Sequence, residues 1–350
     1  MSYPTSRAIN MIIDLRSDTF TKPTLGMLEA IMNAQTGDDV YKEDPSVNEL
    51  ERRFTEMFGM DTALFFPTGS MSNQAAIKLH TQPGDQLICD KWAHVYNFEA
   101  GGAAFNSGVT CNLIDGDRGM ITAAAIEEAI SPIEDYHTPV TSLVCLENTT
   151  NKGGGACYDF EEFKKIRKVC DAHGLGLHLD GARLMHALVV KKEDPKEYGK
   201  IFDSISICLS KGLGTPIGTI LLGNKDLMQR AIRIRKILGG AMRQVGFMAA
   251  AGIYALDNHI DRLAEDHKRA GEIAEVLTKL PYIKNVEPTE TNIVIFYLKE
   301  GLDISKFLSD MNEMDVKIST MGQGKLRLVT HLDYTQELHD KFLKILANYK

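Results

Sequence analysis

The chain has 350 residues, of which 44% are hydrophobic and 25% are charged, and its formal net charge is −8. This composition is typical of a globular protein with a sizeable core. The negative charge argues against nucleic acid or an anionic membrane as a partner. The N-terminus lacks the apolar stretch of a signal peptide, and no apolar run approaches the ~18 residues of a membrane span. Six cysteines without a CxxC pair favour a reduced, cytoplasmic protein.

Short apolar runs alternate with helical stretches through the first two thirds of the chain. Strands that alternate with helices predict a mainly parallel sheet covered on both faces. The run at 216–222 follows the preceding strand after only a tight turn, so we expect it to return antiparallel, because a parallel crossover needs a dozen or more residues. The predicted helices are about 73–80, 121–130 (capped by Thr122) and 159–173 (ended by Gly174), and the predicted strands are 63–66, 86–89, 109–114, 142–146, 175–179 and 204–209.

The pattern changes from about residue 255 onward. A long amphipathic helix is predicted at about 257–279, followed by a strand at 292–296, a helix at 304–313, a strand at 326–330 and a terminal helix. This order is typical of a smaller α+β domain packed on the first. We therefore predict an α/β protein with a large domain at 1–250 and a small C-terminal domain at 251–350.

Lys211 is the most informative residue for chemistry. It follows a buried apolar run and precedes a Gly-rich turn, and a lysine at that place suggests an amine that forms a Schiff base. Asp180 ends another apolar run 31 residues upstream. An amine for an aldehyde and a carboxylate for a ring nitrogen are what a pyridoxal phosphate (PLP) site needs. Taken alone, Asp180 could equally be a helix cap.

Two segments could bind a phosphate. Gly69 and Ser70 join a strand to a helix, where free backbone N–H groups can meet an anion. Lys236 and Arg243 flank the Gly-Gly break in the one dense basic run of the chain and could clamp a phosphate. A common strand-to-helix turn and a solvated helix face are the alternative interpretations.

Arginines and histidines supply the remaining candidates. Arg183 has a planar fork suited to a phenolate oxygen or a substrate carboxylate, while Arg327 alternates with leucines and could be a solvent-facing strand residue. His94 follows a strand end and could stack on a flat ring. His137 lies in a predicted loop, where spacing alone favours no function.

Together these segments resemble the threonine aldolases, in particular the low-specificity L-threonine aldolases, which are PLP enzymes of fold type I in the β-eliminating lyase group. Several specific motifs occur in the family's order from about Asp14 to about Asp333. The matching segments are 14–19 (Asp-Leu-Arg-Ser-Asp-Thr), 37–41, 43–45, 179–183 (Leu-Asp-Gly-Ala-Arg), 208–213 (Cys-Leu-Ser-Lys-Gly-Leu), 240–244 and 327–331.

The resemblance implies a role for each matching position. Lys211 would hold PLP through a Schiff base, Asp180 would bind its ring nitrogen and His94 would stack on the ring. The phosphate would be held by Gly69 and Ser70, with Lys236 and Arg243 from a neighbouring subunit. The substrate would meet Ser17, Arg183 and Arg327 at its carboxylate, Phe98 in the pocket wall and His137 near its hydroxyl. A phosphate site to which a neighbouring subunit contributes requires at least a dimer. The resemblance implies a homotetramer, a dimer of dimers with active sites at the subunit interface.

The implied reaction is retro-aldol cleavage of L-threonine or L-allo-threonine to glycine and acetaldehyde. The base could be His94, His137 or a water between them, and no metal ion is expected. β-Elimination or transamination on the same scaffold and a catalytically silent PLP-binding protein are the rival hypotheses. Two positions depart from the family pattern: Thr150 stands where a histidine is common, and Ala241 replaces the third glycine of a run.

Overall fold

The computed structural model describes residues 12–322 and 324–349. Within them the chain forms thirteen strands and thirteen α-helices. The strands are β1 (Ile13–Asp14), β2 (Thr62–Phe66), β3 (Gln86–Asp90), β4 (Thr110–Ile114), β5 (Thr141–Glu147), β6 (Gly176–Asp180), β7 (Ser204–Cys208), β8 (Thr219–Gly223), β9 (Ile283–Val286), β10 (Ile293–Leu298), β11 (Val316–Lys317), β12 (Ser319–Thr320) and β13 (Lys325–Val329).

The helices lie mostly between the strands, as the sequence pattern predicts. They are α1 (Leu25–Met32), α2 (Pro45–Phe58), α3 (Gly69–His80), α4 (His94–Asn97), α5 (Ala123–Ala129), α6 (Phe160–His173), α7 (Leu184–Lys191), α8 (Pro195–Ile201), α9 (Lys225–Ile237), α10 (Gly246–Asn258), α11 (Leu263–Thr278), α12 (Ile304–Glu313) and α13 (Gln336–Asn348). None of these helices is long and apolar enough to cross a membrane.

A seven-stranded sheet in the order β2-β8-β7-β6-β5-β3-β4 forms the centre of the molecule. The ladder from β4 to β7 is parallel, and β8 runs antiparallel to both of its neighbours. The prediction of a mainly parallel sheet with an antiparallel return is therefore confirmed. All residues of β3, β7 and β8 are buried, as expected for strands covered by helices on both faces.

Local sequence signals set the helix ends. The Thr122 side chain accepts a hydrogen bond from the backbone N–H of Ala125 at the start of α5, and Asp159 caps α6 in the same way through Glu161. Gly174 ends α6 with φ 66°, a conformation that glycine adopts without steric cost.

Asp180 is the last residue of β6, and Lys211 follows β7 by three residues. Both side chains thus lie at the carboxyl edge of the sheet, where ligands bind in open α/β folds.

The helix predicted at about 257–279 is confirmed as α11 (Leu263–Thr278), but it begins six residues later than predicted, because α10 extends to Asn258. α10 ends before His259, whose ring nitrogen Nδ1 lies 2.7 Å from the carbonyl oxygen of Leu213. Ala251 and Ala255 of α10 pack in the core of the large sheet, and α11 contributes Leu263 to that core and Ala270 to the core of the C-terminal strands.

The C-terminal region has its own sheet and core. Strands β12, β13, β10 and β9 form an antiparallel sheet in that order, and β1 pairs with β11. Ile13 and Leu15 at the start of the described chain join this second core. The expected boundary near residue 250 falls inside α10, which packs in the core of the large sheet, and the division at that residue stays a prediction.

Candidate active site

A cavity of about 430 Å³ lies between the carboxyl edge of the large sheet and the C-terminal sheet. It brings together six of the residues singled out in the sequence, and no Asp or Glu lines it. These six are Ser17, His94, Phe98, Arg183, Lys211 and Arg327. The cavity therefore has a cationic wall suited to a small anionic ligand.

Lys211 reaches this cavity from the turn after β7. Its amine lies 3.6 Å from Cys208 Sγ, and it has no oxygen partner among the described residues. The next residue, Gly212, packs so closely on His186 that a Cβ there would lie 2.2 Å from its Nε2. The glycine after the lysine is thus required by packing, and the amine is left available for covalent chemistry.

Asp180 is 2% exposed and has no ion-pair partner within the described part of the chain. Its carboxylate accepts hydrogen bonds from Asn73 Nδ2 at 2.9 Å and from the backbone N–H of Ala182 at 3.1 Å. Asn73, which sequence reasoning did not single out, also donates to Glu99 at 2.9 Å. A buried carboxyl group without a cation among the described residues suits the protonated nitrogen of a pyridine ring.

The donor atoms of His94, Glu99 and Asp180 lie within 4.8 Å of one another, a spacing that could also hold a metal ion. However, Asn73 donates to both carboxylates and occupies part of their coordination capacity. The arrangement fits a flat cationic ring beside Asp180 at least as well as a metal ion.

His94 begins α4, and its ring is fixed by a buried carboxylate. Nδ1 lies 3.0 Å from Glu99 Oε1, so the other ring nitrogen is free for a ligand in the cavity. Burial disfavours the charged ring, but the bond to Glu99 and the charge of Asp180 outweigh this effect and raise the pKa of His94. The ring also lies 5.6 Å from that of Phe98. Glu99 had no recognisable signal in the sequence.

Arg183 is held by Asp18, a second residue that sequence reasoning did not assign a role. The guanidinium donates twice to the Asp18 carboxylate, and both side chains are buried. Burial alone would raise the pKa of Asp18, but the Arg183 charge and hydrogen bonds hold it well below its usual range. Ser17 lies next to this pair, and its hydroxyl accepts from the backbone and side chain of Thr19.

Arg327 faces the cavity from β13, on the strand face opposite its buried leucine neighbours. Nη1 donates to Asn151 Oδ1 at 2.8 Å and Nη2 to the carbonyl oxygen of Arg16 at 3.0 Å, while the buried Nε has no partner among the described residues. Burial and the nearby Arg183 charge lower the pKa of Arg327 to about 10. Two guanidiniums that repel each other favour an anion between them.

The phosphate-binding candidates lie apart from this cavity. Gly69 and Ser70 begin α3, behind the cap Thr68, and the first N–H groups of a helix have no intrahelical acceptor. A Cβ on Gly69 would lie 2.7 Å from Cys208 Sγ, so the turn packs against the strand that leads to the lysine. Phosphates bind at helix starts with free N–H groups, and Gly69 and Ser70 stay candidates for that role.

Lys236 and Arg243 are exposed and do not line the cavity of their own chain. Arg243 pairs with Asp38 at 2.7 Å. Gly240, between them in sequence, lies against Met71 and Pro67 beside the start of α3. The structure of one chain therefore brings the glycine break to the candidate phosphate turn, but not the two cations.

His137 is not brought to the cavity either. It lies in an exposed loop between α5 and β5, with its ring 4.0 Å from that of Tyr136. Thr150 is buried, its backbone pairs with Ala156, and its side chain does not line the cavity.

Comparison with known proteins identifies the family. The sequence matches the family described as beta-eliminating lyase over residues 14–301. The chain belongs to this family. Low specificity L-threonine aldolase of Escherichia coli K12 is 42% identical over 328 residues, which cover 93% of this chain and 96% of that protein. The enzyme of the same name from Saccharomyces cerevisiae is 40% identical over 342 residues, covering 93% and 87%.

Solved structures confirm the fold expected for this beta-eliminating lyase. A threonine aldolase from Leishmania major superimposes with a TM-score of 0.84 at 22% identity, covering 96% of this chain and 98% of that one. A protein described as a putative L-allo-threonine aldolase from Listeria monocytogenes superimposes with a TM-score of 0.79 at 22% identity, covering 95% of each chain. The prediction of an α/β fold of PLP fold type I is confirmed.

Proposed function

We propose that this protein is a PLP-dependent threonine aldolase, which cleaves L-threonine and L-allo-threonine to glycine and acetaldehyde. One observation carries the proposal: an unpaired amine, Lys211, lines a cavity walled by two arginines, and the buried carboxylate Asp180 ends the neighbouring strand. High identity to proteins named low-specificity L-threonine aldolase over nearly the whole chain supports it.

The residues present fit PLP. Its aldehyde would meet Lys211, its ring nitrogen Asp180 and its phosphate the start of α3 at Gly69 and Ser70. When bound, PLP supplies a carbonyl for the substrate amine and an electron-accepting ring for the pair released as the Cα–Cβ bond breaks. Asp180 favours the protonated ring nitrogen, because opposite charges at short range stabilise one another.

The two arginines orient the substrate. We assign the substrate carboxylate to the space between Arg327 and Arg183, with Ser17 beside it, because Arg327 retains an unpartnered buried Nε there. A carboxylate held from two sides fixes rotation about the bond to Cα and so selects which bond is cleaved. Orientation of this kind contributes up to ~7–11 kcal/mol in ideal cases.

His94 is our candidate for the base that accepts the β-hydroxyl proton, directly or through a water. It lines the cavity, and Glu99 fixes the ring through Nδ1, leaving Nε2 to act. Phe98 lies beside it in the same wall. His137 could take this role only if a neighbouring subunit brought it to the cavity.

We also propose a homotetramer, a dimer of dimers located in the cytoplasm, in which Lys236 and Arg243 reach the phosphate of a neighbouring subunit. Large apolar side chains that are exposed on the single chain support an interface between subunits: Leu25 is 80% exposed, Met32 76% and Ile237 77%. The six free cysteines are consistent with a reducing compartment.

The test is to supply the purified protein with PLP and each threonine diastereomer and to measure acetaldehyde and glycine. We expect both products in equal amounts. Release of ammonia and a 2-oxo acid instead would indicate β-elimination, and a yellow protein that yields neither product would indicate PLP binding without catalysis.

A further inference from the structure

We propose that Glu147 is a positioning residue for the aldolase reaction: it fixes the backbone at His94 and at Asn151, and through Asn151 it fixes Arg327. The proposal rests on the proposed function, since it assigns how the candidate base His94 and the carboxylate-binding Arg327 are held in position relative to each other. Glu147 does not line the cavity, and it acts only through these neighbours.

The carboxylate of Glu147 joins two separate segments. Glu147 is the last residue of β5 and 7% exposed, and it is paired in register with Asp180 on β6. Oε2 accepts the backbone N–H of His94 at 2.8 Å, and Oε1 accepts the backbone N–H of Asn151 at 2.7 Å. Each oxygen thus fixes one strand-to-loop connection.

The connection continues to the other side of the cavity. The side-chain oxygen of Asn151 accepts a hydrogen bond from Arg327 Nη1 at 2.8 Å. Arg327 belongs to the C-terminal sheet, whereas His94 belongs to the large domain. A single buried carboxylate therefore links the candidate base of one domain to an arginine of the other.

This link uses both oxygens of the Glu147 carboxyl group as acceptors. Both of its partners are N–H donors, and an ionised carboxylate accepts with both oxygens, whereas a glutamine offers one acceptor and one competing NH₂ group. Burial and the Asp180 charge raise the pKa of Glu147 to about 7, and the two N–H groups and His94 oppose this rise. The two backbone bonds thus support the ionised form, and an amide would break one of them.

A double-mutant cycle in the holoenzyme tests the coupling. Glu147→Gln is expected to raise KM for threonine about 10-fold and to lower kcat, since it disturbs both Arg327 and His94. Asn151→Ala removes the acceptor of Arg327 Nη1 from the cavity wall but keeps the backbone N–H that Glu147 binds, and it is expected to raise KM by a similar factor. In the double variant KM should be no higher than in Asn151→Ala, while kcat falls as in Glu147→Gln, because contacting residues are not additive.

A second readout does not depend on turnover. The dissociation constant of glycine, measured by calorimetry on each holoenzyme, should weaken about 10-fold in both single variants and no further in the double variant. This measurement separates the two proposals. A wild-type enzyme that does not cleave threonine refutes the proposed function, while the glycine affinities still test Glu147.

Glu162→Gln is the matched control, because Glu162 also accepts a backbone N–H of another segment, that of Ala123 at 2.8 Å, away from the cavity. It should leave KM, kcat and glycine affinity unchanged. Additive effects of the two substitutions, or a loss of thermal stability in Glu147→Gln without a change in KM or kcat, would overturn the proposal. If Glu147→Gln does not fold, Glu147→Asp, which shortens the reach, enters the same cycle and must give the same non-additivity.

Discussion

Asp18 and Arg183 form a buried ion pair with two parallel hydrogen bonds, Nε to Oδ2 at 2.8 Å and Nη2 to Oδ1 at 2.7 Å. The pair occupies one edge of the guanidinium and leaves the other edge for a ligand in the cavity. Asn292 lies 3.5 Å from the same carboxylate. Asp18 thus determines which way Arg183 presents its remaining donors to a substrate.

We expect Asp18→Asn to destabilise the protein and weaken substrate binding. Removing one charge of a buried pair leaves the other uncompensated, which costs about 3–5 kcal/mol, so the free energy of unfolding in urea should fall by about that amount. KM for threonine should rise as Arg183 becomes less well oriented.

Asp14→Asn is the control for this change. Asp14 pairs with Arg16 in the same segment, but both side chains are partly exposed, and such pairs contribute up to about 1 kcal/mol. Equal destabilisation by the two substitutions would contradict the role given to Asp18.

Lys211→Ala should abolish both turnover and the visible absorbance of covalently held PLP, because Lys211 follows β7, the strand next to the one that Asp180 ends. The other lysine that lines the cavity, Lys152, has its amine over the Phe98 ring, 5.1 Å from the ring centre. Noncovalent PLP binding should persist at lower affinity through Asp180 and the start of α3. Lys164→Ala, at an exposed helix position paired with Glu161, should retain full activity and absorbance. Residual aldehyde release by Lys211→Ala above the rate without enzyme would exclude the amine as the covalent group.

The positions of Lys211 and Asp180 could be predicted from the sequence because alternating strands and helices place the carboxyl ends of parallel strands on one edge. The residues that hold the other site residues, Arg183 and His94, could not be predicted in this way. Asp18 and Arg183 are 165 residues apart in the chain, and nothing local indicates that they meet. Glu99 and Glu147 are buried carboxylates within ordinary segments, and only the fold reveals that each binds His94.

The sequence places the start of α11 at about residue 257, six residues before Leu263. The segment between Asn258 and Leu263 contains no glycine or proline that would mark the break between the two helices. His137, which the family resemblance places near the substrate, lies in an exposed loop away from the cavity of the single chain. The sequence of one chain does not show which loops a neighbouring subunit would supply.

Arg327→Ala should reduce kcat/KM about 10- to 100-fold, mainly through KM, since hydrogen bonds to charged groups contribute about 1.5–3 kcal/mol. Arg327→Lys should recover part of this loss, because it restores the charge without the planar fork. Arg269→Ala provides the comparison: Arg269 is also poorly exposed and donates to a backbone carbonyl, that of Tyr334, but it does not line the cavity. If Arg269→Ala raises KM as much, the effect of Arg327 is structural.

Glu99→Gln should move the acidic limb of the pH profile of kcat/KM to lower pH. A neutral His94 is needed to accept the hydroxyl proton, so the rate should rise as pH rises through the pKa of His94. Glu99 holds that pKa above the ordinary value of about 6.5, and removal of its charge lowers it.

The pH dependence of the stability of the PLP-free protein should report the same raised pKa of His94. A pKa raised in the folded state contributes stability that is present below the unfolded value and is lost as pH rises through the folded value. The advantage of the wild type over Glu99→Gln in free energy of unfolding should therefore be largest below about pH 6.5 and shrink as the pH rises above that value.

Glu272→Gln is the control for both pH measurements, because it removes a carboxylate 2.8 Å from His339, a histidine outside the cavity. It should leave the acidic limb of kcat/KM in place. An acidic limb that does not move in Glu99→Gln would show that His94 is not the group whose deprotonation limits the reaction. In that case loss of the limb in His137→Ala would assign the base to a histidine contributed by a neighbouring subunit, because the loop that carries His137 does not reach the cavity of its own chain.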